Sequence, residues 1–370
     1  MNAVPDAMAP DAMAPDAMAP DAMAPDAMAP DAMAKDWKGE TYYGQASLKP
    51  SPFDWKIAAY VYIAGIAGSS QIVATLADRL GDGRDETIVR NGRYLALAGA
   101  LAGPPLLIAD LKTPERFYNM LRIYRTSSPM SFGSYILTGF GLASGLTALG
   151  HMAGERRRDG SRSGLRRAAD MAQVPAAFLG AGMSTYTAAL LSATSTPLWA
   201  AAPRAMAVQF GTSAMATAAA ALSLGEQVAG DPGNCRRLDG LAAIAAAGEL
   251  VASAVAERRQ REAGVGQPLR EGPIGAGYKA GALALGLGVP LACHAVNALS
   301  KRPSRGLSVL GSLAILAGGM VMRQAVFQAG NRSAERPDEY FRLTRREPEG
   351  TSPRRRVDRD LAARGARRLP

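Results

Sequence analysis

Two cysteines and two histidines are all that 370 residues offer toward a metal or redox centre. Cys235 and Cys293 stand far apart in sequence, so no disulfide framework, CxxC pair or iron–sulfur cluster can be built from this chain alone. His151 and His294 are the only candidate haem ligands. They fall at different depths, His151 at the end of an apolar run and His294 inside another, so a bis-histidine haem is not expected. His294 reads as a packed, hydrogen-bonded polar residue. Acidic clusters with metal-ligand spacing are missing, and so are a Gly-rich phosphate loop after a strand, an HExxH pair and a nucleophile elbow. These absences exclude group-transfer catalysis by the chain on its own. They assign any cluster to a partner.

Charge is scarce wherever the chain is apolar. Hydrophobic residues make up 48% and aromatics only 6%, and a mean hydropathy of −0.03 would suit a soluble protein. The charges, however, lie almost wholly between the apolar runs. Those runs are rich in glycine and alanine, the composition with which transmembrane helices pack closely. The net charge of +10 sits in short loops and a tail rather than on a recognition helix, so nucleic acid is not an expected partner. Anionic lipid headgroups are.

A bilayer-spanning helix needs ~20 mainly apolar residues, and eight segments meet or approach that length: 54–77, 93–111, 131–152, 170–192, 205–225, 237–256, 277–299 and 305–325. The fold class is therefore an all-α integral membrane protein, an eight-helix bundle over 41–330, with disordered tails at 1–40 and 331–370. Residues 5–34 are six copies of Pro-Asp-Ala-Met-Ala, whose periodic prolines forbid a continuous helix and whose small side chains build no core. No basic stretch followed by an apolar one marks a signal peptide. Pro104-Pro105 in the second span should kink or break it. Glycine pairs at Gly99/Gly103, Gly141/Gly145 and Gly277/Gly281 suggest close crossings.

Short-loop Lys and Arg number thirteen on the face reached by the odd-numbered connections, from Arg79 to Arg302. Nine lie on the other, from Lys112 to Arg270. The excess makes the first face cytoplasmic and puts both termini outside.

Chemistry crowds one membrane edge, between Leu106 and Gly133. Asp110 closes the second apolar run, and Lys112, Glu115, Arg116, Arg122 and Arg125 follow among Phe117, Tyr118 and Tyr124. Antiparallel crossings bring Asp54, Tyr60, Asp110 and Tyr186 to the same face at similar depth. A quinone site needs hydrogen-bond partners for its carbonyls, a group that exchanges protons and an apolar slot. Asp110 suits the proton acceptor, Tyr186 the donor, and Arg116 a charge that keeps Asp110 ionised or stabilises a developing anion. The plainer alternatives are a helix-end carboxylate paired with Lys112 or Arg116, and an interfacial tyrosine. Glu249, mid-span, is either part of a proton path or paired with an arginine or backbone carbonyl of a neighbouring helix.

The run Asp110-Leu111, Pro114, Arg116-Phe117, Ser128-Pro129-Met130-Ser131 and Gly133, followed by YTAALLSATSTPLW from Tyr186 to Trp199, resembles the NrfD-like membrane subunits of polysulfide-reductase-type complexes. The entry from Tyr42 to Lys56 resembles them too. The resemblance covers roughly 42–327. It implies a membrane anchor that exchanges electrons between quinone or menaquinone and a ferredoxin-like iron–sulfur subunit, itself wired to a molybdopterin catalytic subunit. Such complexes serve anaerobic respiration in the bacterial cytoplasmic membrane. By this resemblance Asp110, Tyr186 and Arg116 belong to the quinone site; Tyr60, brought to the same depth, is a further candidate to bind the ring. Lys112, Pro114, Arg116, Phe117 and Arg122 face the iron–sulfur partner. The first helix departs from some members, which carry a histidine and an asparagine there; this one offers Tyr60, Tyr62 and Gln71.

Two other functions fit an eight-helix chain. A secondary transporter would use the Pro104-Pro105 break and Glu249 as a midplane site and should show a matching break in its second half; none is apparent. A purely structural anchor would not respond to a quinol-site inhibitor.

Overall fold

The computed structural model describes residues 48–81, 85–111, 113–122, 128–156 and 164–344. Eight long helices cross in alternation: α1 (Trp55–Leu80), α2 (Glu86–Asp110), α3 (Pro129–Arg156), α4 (Gly164–Ser192), α5 (Pro203–Ala229), α6 (Pro232–Glu262), α7 (Gly272–Leu299) and α8 (Arg305–Ala334). All eight are long and apolar enough to span a bilayer. Each anticipated span finds its helix, and most run several residues further at one end or both. Hydropathy ends where charge begins, whereas a helix continues until its backbone is capped.

The caps are local. Asp54 accepts from the amide of Lys56 at 2.7 Å to start α1. Asp231 accepts from Gly233 and Asn234 ahead of α6, with Pro232 at the first helical position, and Ser304 accepts from Leu307 to open α8. Gly230, at φ 79°, closes α5 in the left-handed conformation that glycine adopts without strain. Of the kink or break expected at Pro104-Pro105, the helix does not break: α2 continues through both prolines to Asp110. In α7 the stretch Tyr278–Gly288 is wound as a π-helix, a rare form that often accompanies a functional site.

Helices α1–α4 form one bundle and α5–α8 another, and α1 joins them by packing on α5 and α8 as well as on α2 and α4. Small residues set the closest crossings. A Cβ on Gly68 would lie 2.3 Å from the carbonyl oxygen of Gly180, and one on Gly318 would lie 2.1 Å from Cα of Gly286. The glycine pairs read from the sequence divide. Gly99 and Gly103 do meet α1, at Ala67 and Tyr60, and Gly281 meets Val321, but Gly141, Gly145 and Gly277 have nothing within 4 Å. Glycine spacing alone does not say which face of a helix meets a neighbour.

Between α4 and α5 the short helix Pro197–Ala200 tucks inward. Trp199 is fully buried, donates from Nε1 to the carbonyl of Val326 at 3.0 Å and packs on Phe53 and Phe327. Its ring lies on Gly330, where an added Cβ would come within 2.0 Å of the indole. Gly330→Ala should therefore destabilise the protein by about 1–3 kcal/mol, the usual cost of overpacking, measurable as a lower melting temperature in detergent. At the far end α8 extends to Ala334 and a further helix spans Pro337–Thr344, so the segment read as a tail from 331 is ordered helix as far as 344. Glu339 in that helix accepts from the amides of Gly266 and Gln267 and from the Ser333 hydroxyl. Those bonds tie the helix Pro337–Thr344 to the loop after α6. The PDAMA repeats lie outside the described residues.

Candidate functional site in the first bundle

The start of α1 and the end of α2 meet because the two helices are antiparallel, and that meeting builds a charged cluster. Lys56 donates from Nζ to Asp54 at 2.8 Å and to Asp110 at 3.3 Å, with the carbonyl of Ala109 at 3.5 Å. Lys56 is thus the cation that accompanies Asp110. Arg116 is exposed in the 3-10 turn Pro114–Arg116 that follows, and among the described residues no ion pair joins it to Asp110. Lys112 lies outside the described residues. Burial pushes the Asp54 carboxyl upward, but hydrogen bonds from the side chain and amide of Lys56 outweigh it and hold the group below the ordinary carboxylate range. Asp110 is the more enclosed carboxylate, its side chain 12% exposed against 41% for Asp54.

Tyr60 follows Lys56 by one turn of α1, and Tyr186 lies near the end of α4. Tyr60 is buried, and its ring packs on α2 at Gly103, where a Cβ would lie 3.3 Å from the ring. Tyr186, half-buried, lies within electrostatic range of Tyr60. Its phenol rests on α3 at Gly133, where a Cβ would come within 2.1 Å of the hydroxyl oxygen. Four helices therefore contribute: α1 through Tyr60 and Lys56, α2 through Asp110 and Gly103, α3 through Gly133, and α4 through Tyr186. Two phenols as hydrogen-bond donors, a carboxylate able to take a proton and a neighbouring ammonium form a donor set suited to the two oxygens of a redox-active ring. Gly133→Ala should push Tyr186 off its seat and alter activity that depends on the phenol while the bundle stays folded. Unchanged tyrosine fluorescence and activity would show that the ring tolerates the methyl group.

Glu249 belongs elsewhere. It is buried in the second bundle, in interaction range of the Ser213 hydroxyl and of Arg323. Arg323, 1% exposed on α8, donates from Nη1 to Ser213 Oγ at 3.1 Å and to the carbonyl of Gly319 at 2.9 Å, and its guanidinium lies over the rings of Tyr62 and Phe210. Arg323 on α8 thus lies within electrostatic range of Glu249, and among the described residues no ion pair joins the two. The expectation of a hydrogen-bonded His294 is corrected. The ring is buried with its Nδ1 3.9 Å from Asp239, yet neither nitrogen has a hydrogen-bond partner among the described residues. Asp239 gives its acceptor capacity to Ser223 and Ser308, each at 2.6 Å. His151 lies in the first bundle beside Arg93 and Tyr94, far from His294 in the fold.

The segment after α2 turns across the same end of the first bundle. Phe117 and Tyr118 are exposed and packed edge to face, Arg122 is exposed, and the Tyr135 hydroxyl donates to the carbonyl of Leu121 at 2.8 Å, pinning the segment to α3. Pro114, Phe117 and Arg122 are thus all exposed on the segment that follows Asp110.

The residues that reading the sequence passed over are Lys56, Arg93 and Arg323. Lys56 stands two positions from Asp54 at the mouth of α1, and each arginine interrupts an apolar run. A charge inside a spanning segment is costly enough to mark a site by itself, so both arginines carried a usable signal.

An all-α protein with eight membrane-length helices and a carboxylate–phenol cluster at one end of its first bundle is a multi-pass membrane protein of the kind that serves as subunit to a membrane complex. The chain belongs to the family described as polysulphide reductase, NrfD, whose model matches residues 45–333. A comparison with curated proteins finds no match. The family makes the chain a membrane subunit of a polysulfide reductase-type complex.

Proposed function

We propose that the chain is the quinone-reactive anchor of its complex, passing electrons between the membrane quinone pool and an iron–sulfur partner that serves a molybdopterin subunit. The observation that carries this reading is the convergence of Asp110, Tyr60 and Tyr186 at one end of the first bundle, with Lys56 supplying the charge. In it the phenols of Tyr60 and Tyr186 hold the ring oxygens and Asp110 takes or returns a proton. Pro114, Arg116, Phe117 and Arg122, with Lys112, seat the iron–sulfur partner close to the ring, because electrons must leave at the same face. Glu249, within interaction range of Arg323 and Ser213 in the second bundle, handles protons separately. The chain holds no catalytic centre of its own and works in the bacterial cytoplasmic membrane with both termini outside.

Purifying the complex from its native membrane and adding a short-chain quinol tests the reading. Reduction of a co-purifying iron–sulfur cluster, blocked by a quinol-site inhibitor, is the expected result; a cluster that no quinol reduces would sink it. A reporter active only outside the cytoplasmic membrane, fused after Pro370, should be active, and an inactive fusion reverses the orientation.

A further inference from the structure

At the face opposite Asp110, the second bundle holds a cavity of about 850 Å³ between α6, the last turns of α7 and the start of α8. That volume falls within the roughly 300–1,000 Å³ of small-molecule sites. Small residues form much of its wall: Gly240 and Ala243 on α6, Ala295 and Ala298 on α7. A Cβ on Gly240 would meet nothing within 4 Å, so no neighbouring helix covers this stretch. Ile244 and Val296, beside these small residues, are exposed. An apolar side chain exposed on a spanning helix lies against acyl chains. The cavity therefore continues outward as an apolar groove open to lipid.

Three carboxylates border the cavity, Glu226, Asp231 and Asp239, and each is already engaged. Glu226, fully buried, accepts from Thr87, Asn91 and Asn234. Asp231 accepts from the amides of Gly233 and Asn234, and Asp239 from the Ser223 and Ser308 hydroxyls. The cations are not matched in this way. Arg236 and Arg305 are exposed at the rim and donate to backbone carbonyls, of Pro232 at 3.3 Å and of Gln227 at 2.8 Å. Among the described residues no ion pair joins either to a carboxylate. Lys301 and Arg302 are exposed in the adjoining loop, and the first turn of α8, capped by Ser304, adds the partial positive charge of a helix N-terminus. The rim thus favours an anion. Deeper in, His294 lines the cavity at 4% exposure with neither ring nitrogen partnered among the described residues. Its Nε2 edge packs on Gly311, where a Cβ would lie at 3.0 Å, and its Nδ1 stands 3.9 Å from Asp239, which lines the same cavity. A buried polar group without a partner is costly, and a ligand hydroxyl would supply one.

We infer that this cavity binds an anionic phospholipid with a hydroxyl-bearing head, of the phosphatidylglycerol kind. The phosphate sits among Arg236, Arg305 and the first turn of α8, a head hydroxyl reaches His294, and an acyl chain follows the groove along Gly240, Ala243 and Ile244. Basic pockets between spanning helices recognise such heads. A soluble anion would use the rim and leave the apolar groove empty. A zwitterionic lipid would bring its own ammonium to a rim of cations. The site draws on α5 through Gln227, on α6, on α7 and on α8 through Ser304 and Ser308, so the bound lipid braces the second bundle. It lies away from Asp110 and the two phenols, and its occupancy does not depend on the quinone reading.

The test uses the purified complex, washed in detergent to remove loosely held lipid, with phosphatidylglycerol, phosphatidylcholine and inorganic phosphate as probes. Native mass spectrometry counts the lipid bound, and thermal melting reads the bracing. Wild type should bind one phosphatidylglycerol more tightly than the double variant Arg236→Gln with Arg305→Gln does, by about twenty-fivefold, roughly fivefold for each basic side chain at an anionic head. Gly240→Phe fills the groove and leaves both arginines, and it should weaken the same binding. Equal counts and affinities in wild type and both variants overturn the site. Phosphatidylcholine that binds as tightly as phosphatidylglycerol overturns the anion preference. Phosphate that raises the melting temperature as much as the lipid does gives the rim to a free anion and overturns the lipid. His294→Leu should erase a preference for phosphatidylglycerol over phosphatidic acid, and a preference that survives removes His294 from the site. Equal melting temperatures for the delipidated wild-type and variant complexes keep a folding defect from passing as lost binding.

Discussion

Asp110→Asn should lower quinol-linked electron transfer by about a hundredfold or more while the complex still assembles. Removing a positioned general acid or base removes a factor of ~10²–10⁴, and Asp110 is the most enclosed carboxylate at the phenol end of the first bundle. Asparagine keeps the size and an acceptor for Lys56 but cannot take a proton. The same logic applies to Tyr186→Phe, which keeps the ring on Gly133 and deletes only the hydroxyl. The two losses should differ in kind. Tyr186→Phe weakens ring binding and shows in KM as well as kcat, whereas Asp110→Asn shows mainly in kcat. Lys56→Met should act in the same direction as Asp110→Asn but less strongly, because it removes a charge that tunes the carboxylate and leaves the proton carrier in place. Wild-type turnover in both Asp110→Asn and Tyr186→Phe would remove the site from the first bundle.

The spans and their number were legible because a bilayer imposes one length and one polarity on every crossing helix. That the helix ends carrying Asp110, Tyr60 and Tyr186 lie toward one face was legible for the same reason: alternation of direction fixes which helix ends share a face. What the sequence could not show is which side chains touch. Asp110 has two basic residues within six positions downstream, so its partner was sought there. The cation comes instead from Lys56, 54 positions upstream, because the antiparallel packing of α1 on α2 brings it across. Glycine spacing gave the crossing at Gly99 and Gly103 but also pointed to Gly141 and Gly145, which face nothing; periodicity carries no information about which stripe is covered. Pro104-Pro105 does not end α2, which runs on through both, because a helix held by its neighbours can continue past the backbone donors that proline removes. Arg93 and Arg323 were readable as costly charges, yet a window average over twenty apolar residues hides a single arginine.

Arg323 and Glu249 carry the second large effect, this time on stability. Both residues are buried and within electrostatic range of each other, although among the described residues no ion pair joins them; leaving a buried charge uncompensated costs up to about 3–5 kcal/mol. Arg323→Met removes the guanidinium from Ser213, Gly319, Tyr62 and Phe210 at once and leaves Glu249 with a hydroxyl for company. Glu249→Gln leaves Arg323 with both of its hydrogen bonds and both of its rings. The first change should therefore lower the melting temperature in detergent much more than the second. The pair Arg323→Met with Glu249→Leu should recover a large part of the loss, since two apolar residues of similar volume can replace a buried ion pair at little cost. The coupling is read from the double-mutant cycle. Additive losses would mean that the two charges are held independently by their own hydrogen bonds, and Glu249 would then be free to change protonation without disturbing α8. Strong coupling would mean that each proton reaching Glu249 weakens the hold on Arg323, which ties proton handling in the second bundle to the packing of α5, α6 and α8.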